Sequence, residues 1–278
     1  MTALLTALLL TMAFISGPAR WNGIPRVVAV ADAHGDFYRF AEVLRHAGLI
    51  DGNKDWCGGK THLVQTGDLL DRGPDSRLIM DLMMKLERQA PLQGGMVHQL
   101  MGNHEIMNLA GDFRYIHQGE IDSHGGMEKA ATALGPRGFY GRWISGHPAV
   151  IRINDTVFLH GGVSPEFSAM SPEAINEAVR KALGSDSLQA SVFQGEGPFW
   201  YRGWGLDPST SVERALEEFL ETSGAEYAVV GHTVVDEIET RFGGRVIMID
   251  TGLSRAYGGP GQYIENRGRG WKTMEPSF

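Results

Sequence analysis

Five stretches of this sequence hold side chains suited to one kind of chemistry: Asp32-Ala33-His34-Gly35-Asp36, Gly67-Asp68-Leu69-Leu70-Asp71-Arg72-Gly73, Gly102-Asn103-His104-Glu105, His160-Gly161-Gly162 and Gly231-His232-Thr233. A pair of divalent or trivalent cations a few ångströms apart needs mixed carboxylate and imidazole ligands, with one carboxylate shared between them. Asp32 and His34 are two positions apart on extended chain, so they project to the same side and suit a grip on one ion. Each signal alone is weak, because an aspartate at a strand end is commonly a turn or helix-capping residue. Together, in order, and joined by the guanidinium of Arg72, they point to a metal site handling phosphate.

The elements that must position these residues follow from the apolar pattern. Arg26 to Ala31 is a continuous, largely β-branched run, as expected of a strand buried on both faces, and it delivers Asp32 to its end. A helix is expected from about Phe37 to Ala47, with Gly48 as its stop. Thr61 to Thr66 reads as the second strand and feeds the loop from Gly67 to Gly73. Pro74 then opens a helix running to about Arg88. Met96 to Met101 reads as the third strand and feeds Gly102-Asn103-His104-Glu105. Three strand-loop-helix units in succession argue for a parallel sheet with its site along the strand ends. From about Leu109 to His147 the pattern loosens into short helices, read as an insertion over the site. Thereafter Ala149 to Ile153 and Thr156 to Leu159 flank an Asn154-Asp155 turn, which predicts a hairpin leading to His160. Helices are expected from Ser171-Pro172-Glu173 and from Ser211, separated by a tryptophan- and glycine-rich loop at Gly195 to Gly205 that carries Arg202. Tyr227 to Val230 and Arg245 to Asp250 supply two late strands. The early parallel units and the later hairpin-rich half would each supply one sheet.

The 278 residues, 42% hydrophobic and 21% charged, have the composition of a folded globular protein. Residues 20–278 read as one domain. The formal net charge of -8 opposes broad attraction to nucleic acid or to an anionic membrane surface. Cys57 is the only cysteine, which excludes an intrachain disulfide and thiolate metal clusters. Ala3 to Ile15 is almost unbroken apolar sequence followed by Ser16-Gly17-Pro18-Ala19, which suggests a signal peptide across residues 1–19 and export to a periplasmic or secreted location. No basic residue precedes that run, so an interfacial anchor or a hydrophobic first helix is the competing reading, with a cytoplasmic or membrane-associated protein as the result. No later segment is long and apolar enough to span a bilayer.

The motifs Asp32-Ala33-His34-Gly35, Gly67 to Gly73, Gly102 to Glu105 and His160-Gly161-Gly162 resemble those of the calcineurin-like metallophosphoesterases and, within them, of the PPP phosphoprotein phosphatases. The resemblance covers most of the chain, from Val27 to Thr233. Arg72 after the second aspartate, and Val235 where many related phosphodiesterases place another histidine, favour the PPP branch. The block Gly197-Pro198-Phe199-Trp200-Tyr201-Arg202-Gly203 looks like that of the bacterial-type Shewanella-like phosphatases. This resemblance implies an α/β sandwich of two mixed β-sheets flanked by helices, with two metal ions where the strand-end loops converge. By it, Asp32, His34 and Asp68 hold the first metal, Asp68 bridges, and Asn103, His160 and His232 complete the second. It implies a phosphomonoesterase acting on phosphoprotein or phosphopeptide esters of serine, threonine or tyrosine, in which a metal-bridging hydroxide attacks phosphorus. His104 resembles the family's catalytic acid, with Asp71 orienting its ring. Arg72 would clamp two phosphate oxygens, and Arg202 is the candidate for a second clamp. Manganese, iron and zinc all accept such ligands.

A dinucleoside polyphosphate hydrolase is the alternative within enzymes, and a metal-dependent phosphate-binding module without turnover is the alternative outside them. His46, His62, His98, His117, His124 and His147 match no motif and read as packed or surface residues. His117, with Phe113 and Tyr115, is the one set among charged residues where a substrate rim could lie.

Overall fold

Short apolar runs, most of four residues, build two sheets in the computed structural model, which describes residues 19–278 apart from 186 and 188. The candidate export segment through residue 18 lies outside the described residues. β1 is Arg20–Trp21. In the first sheet β2 (Val27–Val30), β3 (His62–Gln65) and β4 (Met96–Gln99) run parallel, with Val27, His62 and Met96 in register. The second sheet is built on the hairpin of β5 (Val150–Ile153) and β6 (Thr156–Leu159), which turns at Asn154 with φ 54°. β7 (Tyr227–Val230) and β9 (Val246–Met248) add to it in parallel, and β8 (Glu239–Arg241) closes its edge antiparallel to β9.

The assignment of one sheet to each half of the chain needs correction, because the two ends are exchanged. β10 (Tyr263–Asn266) pairs antiparallel with β2, placing Ile264 opposite Ala29, and β11 (Trp271–Met274) follows it in the first sheet. β1 joins the second sheet beside β5. Pairing the last strands with β2 covers the edge of the buried parallel unit, which would otherwise present unpaired backbone groups.

Alternation along the strands gives each sheet two apolar faces. Ala29, Val64, Ile151, Phe158, Val229 and Ile264 share the layer between the sheets. Val28 and Leu63 face the other way, into a core with Phe40 and Leu44 of α1 (Phe37–His46) and Ile79 and Met83 of α2 (Ser76–Gln89). The second sheet is covered in the same way, with Ile175 and Val179 of α7 (Pro172–Gly184) and Leu216 and Phe219 of α9 (Thr210–Ser223) in that core. The helix ends obey local chemistry. Asp36 accepts from the Arg39 N–H at 3.2 Å to start α1, and Ser171 caps α7 ahead of Pro172.

α3 (Asn103–Leu109) leads into the insertion, which folds as α4 (Gln118–His124), α5 (Met127–Leu134) and α6 (Phe139–Ile144). Its anchor is Glu120, only 1% exposed, which accepts from the Arg77 N–H at 3.1 Å and pairs with His124 at 3.0 Å. Tyr140 adds a second tie by donating to Asp81 on α2 at 2.8 Å. A short turn of helix, α8 (Gly203–Leu206), follows Arg202. Among the described residues no helix is long and apolar enough to cross a membrane.

Candidate active site

Five of the candidate residues adopt a backbone conformation that their side chains disfavour. His34, Asp68, Asp71, Arg72 and His232 have φ of 41°, 56°, 68°, 67° and 63°. Strain of this kind costs on the order of 1–3 kcal/mol per residue and persists only where the surroundings over-determine it. Main-chain bonds between loops supply that constraint. The Ala33 and His34 N–H groups both donate to the Asp68 carbonyl at 3.0 Å, and Gly35 donates to Leu69 at 2.9 Å. The buried Glu105 carboxylate accepts from Asp68 and Gly102 at 2.7 Å and from Leu69 at 2.9 Å, tying the loop after β3 to the loop after β4. Two glycines let the loops approach: a Cβ would lie 2.2 Å from Asp68 Oδ1 at Gly102 and 2.4 Å from Asp32 Oδ1 at Gly231.

The imidazoles are oriented by their far nitrogens. Nδ1 of His34 lies 2.9 Å from the Leu70 carbonyl, and Nδ1 of His160 lies 2.9 Å from that of Thr66. A carbonyl only accepts, so in both rings Nδ1 carries the hydrogen and Nε2 presents a lone pair to the site. His232 is held the other way round, with Nε2 3.2 Å from the Trp200 carbonyl. For His160 the consequence is sharp. Its Nε2 faces Asn103 Oδ1 at 3.0 Å and Asp68 Oδ2 at 3.3 Å, so a ring nitrogen, an amide oxygen and a carboxylate oxygen converge on one point. Such a convergence fits a cation.

Two groups of candidate ligand atoms lie close together. His34, Asp68 and His104 form one and Asp68, His160 and His232 form the other, each with its ligand atoms within 4.8 Å of one another, so Asp68 belongs to both. Asp32 lies beside them: its Oδ2 is 3.9 Å from His34 Nε2, and both its oxygens accept from the His232 N–H at 3.2 Å. The electrostatics agree. Burial, with Asp250 and Asp68 nearby, pushes Asp32 well above the carboxylate range, and burial pushes Asp250 up to about 6. Burial opposes ionisation of Asp68 as well, yet His160, His104 and His34 hold its carboxyl well below the ordinary value. Burial takes His34 down to about 4, so it stays neutral and able to ligate. Three buried carboxyl groups, Asp32, Asp68 and Asp250, crowd around His34 and His232, whose burial keeps them neutral, and bound cations would let all three ionise, so the residues present fit a metal site.

His104 differs from the other site imidazoles. Its Nδ1 lies 2.5 Å from Asp71 Oδ2, and Asn108 donates to the other oxygen of Asp71 at 3.1 Å. Burial disfavours the charged ring, but the carboxylates of Asp68 and Asp71 outweigh it and raise the His104 pKa. His34, Asp68, Asn103, His104 and His232 line a cavity of about 650 Å³ that Arg72 and Arg202 also border. The guanidinium of Arg72 lies over the Tyr115 ring at 3.8 Å, whereas Arg202 donates to the His232 carbonyl at 2.6 Å and to Thr233 Oγ1 at 3.2 Å. All ten residues singled out in the sequence therefore meet at one end of the two sheets.

A model of the calcineurin-like phosphoesterases matches residues 25–236. The chain belongs to that family. Within it the chain is 32% identical to Shewanella-like protein phosphatase 1 of Plasmodium berghei, over 84% of this chain and 68% of that protein. It is 31% identical to Shewanella-like protein phosphatase 2 of Arabidopsis thaliana, over 85% and 73% of the two chains. Among solved structures, the cold-active protein-tyrosine phosphatase of a psychrophilic Shewanella species superposes with a TM-score of 0.81 at 30% identity, covering 94% of this chain and 83% of that one. The α/β sandwich is that of the metallophosphoesterases, and the chain is a metal-dependent phosphatase.

Some residues of this phosphatase site carried no motif signal. Asp250 lines the cavity but ends an ordinary apolar strand. Tyr257 lies with its hydroxyl 3.5 Å from His34 Nε2, and only its place in a glycine-rich loop could have drawn notice. The histidines outside the motifs all have structural partners. His98 Nε2 meets His62 Nδ1 at 2.9 Å beneath Trp21, His46 meets the Tyr263 hydroxyl at 3.0 Å, and His147 meets Glu87 at 2.8 Å. His117 caps α4 by accepting from the Gly119 N–H, so of the suspected rim set only Tyr115 borders the cavity.

Proposed function

We propose that this phosphatase is a dinuclear-metal phosphomonoesterase acting on phosphorylated side chains of proteins or peptides. The observation that carries the reading is the convergence of buried imidazole and carboxylate groups on two points that share Asp68. Asp32, His34 and Asp68 would hold one cation, and Asp68, Asn103, His160 and His232 the other. When bound, the cations would supply Lewis acidity toward the phosphoryl group and an activated water. The remaining work falls to the chain's own side chains. His104, protonated and turned by Asp71, would give its Nε2 proton to the departing alkoxide or phenoxide. Arg72 would take two phosphate oxygens in its planar fork. Arg202, half committed to the main chain of His232, would bear on the opposite side.

The phosphoprotein assignment draws on the relatives' names and on a cavity open enough to admit a side chain from a larger substrate. A second reading has one observation behind it: 26% identity over 157 residues to a symmetrical bis(5'-nucleosyl)-tetraphosphatase of Chromobacterium violaceum, half of that protein's length. Metal-reconstituted protein should be tested on phosphotyrosine, phosphoserine and phosphothreonine peptides beside diadenosine tetraphosphate. Peptide turnover well above nucleotide turnover is expected. Rapid cleavage of the dinucleotide with negligible release from every peptide would overturn the assignment. Phosphate binding with no turnover of any ester would instead favour a binding module.

A further inference from the structure

The two arginines of the cavity are positioned by different means. Arg202 spends guanidinium hydrogens on the His232 carbonyl and Thr233, while Arg72 Nε is buried with no hydrogen-bond partner. What meets the flat face of Arg72 is the ring of Tyr115, 3.8 Å from the guanidinium carbon to the ring centroid. Stacking fixes the plane of a guanidinium without consuming an N–H, so the terminal N–H groups of the fork stay available to an anion. Tyr115 does more than stack. Its carbonyl accepts from the Arg72 N–H at 3.0 Å, bracing a residue whose φ of 67° is strained, and its ring lies against that of His104 with centroids 5.3 Å apart. One residue of the insertion therefore touches the phosphate clamp through its main chain and its ring, and touches the proposed acid through the same ring.

We infer that Tyr115 is a positioning residue that presets the guanidinium plane of Arg72 for a phosphate group and limits the tilt of His104. The inference rests on the phosphomonoesterase reading for the identity of the anion. It also gives the insertion a purpose: α4 is tied to α2 through Glu120 and Arg77, and Tyr115 lies just before it at the end of the segment so anchored. The aromatic face matters and the hydroxyl does not, because a flat π surface is what the guanidinium meets.

The test uses the metal-loaded full chain with phenyl phosphate as substrate and inorganic phosphate as inhibitor. Tyr115→Leu keeps the backbone bond to Arg72 and removes only the ring. It should raise both KM and the phosphate inhibition constant by about tenfold while kcat falls by less than about threefold, the size expected when one side chain must be ordered on binding instead of beforehand. Tyr115→Phe should recover most of the phosphate affinity. In an Arg72→Ala background, Tyr115→Leu should change the phosphate constant by less than about twofold, because the group it positions is gone. If the leucine variant melts early, Tyr115→Met keeps the bulk without a π face and carries the same expectation. The inference is overturned if leucine and methionine leave the phosphate constant within twofold of wild type, if the loss is equally large without Arg72, or if phenylalanine fails to recover it. Wild-type protein that neither binds phosphate nor turns over a phosphomonoester would refute the functional reading, and this inference with it. Active wild type with unchanged variants would refute this inference alone.

Discussion

Histidines near the two ends of the same strands lead opposite lives. Past the leading end of β4 His104 faces carboxylates, and His34 from the loop after β2 and His160 from the end of β6 in the other sheet join it there. Earlier along β3 and β4, His62 and His98 face each other at 2.9 Å, with the Trp21 ring 4.3 Å from that of His98. At the leading end negative charge is in excess, Asp32 is forced toward its neutral form, and a cation would relieve the crowding. At the trailing end burial drives His62 down to about 4 and His98 down to about 3, so the pair is a neutral packing element that resists a proton. The residue type is the same; the loops that carry acidic partners decide which imidazoles do chemistry.

The comparison breaks most decisively at Asp68. Asp68→Ala should remove both cations and depress kcat by more than about 10³-fold, since both donor groups lose their common member. Metal analysis beside turnover checks it, and a variant that keeps two ions per chain would show that Asp68 is not shared. His104→Ala should come next, with kcat down about 10²–10⁴-fold and metal content unchanged. The loss should be larger for phenyl phosphate than for p-nitrophenyl phosphate, whose leaving group needs less help from an acid. Equal losses on both would remove the acid role. Asp71→Asn keeps the shape but weakens the hold on the ring, and a loss of about 10–100-fold is expected, scaled from outer-shell partners of ligating histidines; kcat at the wild-type level would deny it any part in orienting His104.

The smallest effect should come from the trailing end. Both histidines have folded pKa values below the ordinary 6.5, so the unfolded chain binds more protons in the acid range. Their contribution is complete above about pH 6.5 and is lost as pH falls toward about 4 and then 3. Replacing the pair together, His62→Val with His98→Leu, should flatten the fall in urea midpoint over that window and leave kcat near the wild-type value. A fall as steep as that of wild type would show that the acid response originates elsewhere.

Much of the leading end was legible because chemistry there is local in sequence. A short apolar run followed by Asp-x-His or Gly-Asn-His announces both its strand and its loop, and all ten singled-out residues converge. What escaped was non-local. Nothing in Tyr263–Asn266 says that it will pair with β2 rather than with its predecessor β9, because pairing partner is set by which edge needs cover. Asp250 ends a strand like many others and acquires meaning only beside Asp32 and Asp68. The left-handed Arg72 is braced by the Tyr115 carbonyl, which arrives from an insertion whose pattern is too loose to read.

Glu105 bears on how such a centre is held together. Its carboxylate joins the loop after β3 to the loop after β4 through three main-chain amides, and none of these bonds calls for an ion. The two loops are thus joined by protein groups alone, whatever ion the neighbouring side chains take up. The spacing between Asp68 and His104, on which any shared ion would depend, is in this way set by a carboxylate that itself never needs to touch metal.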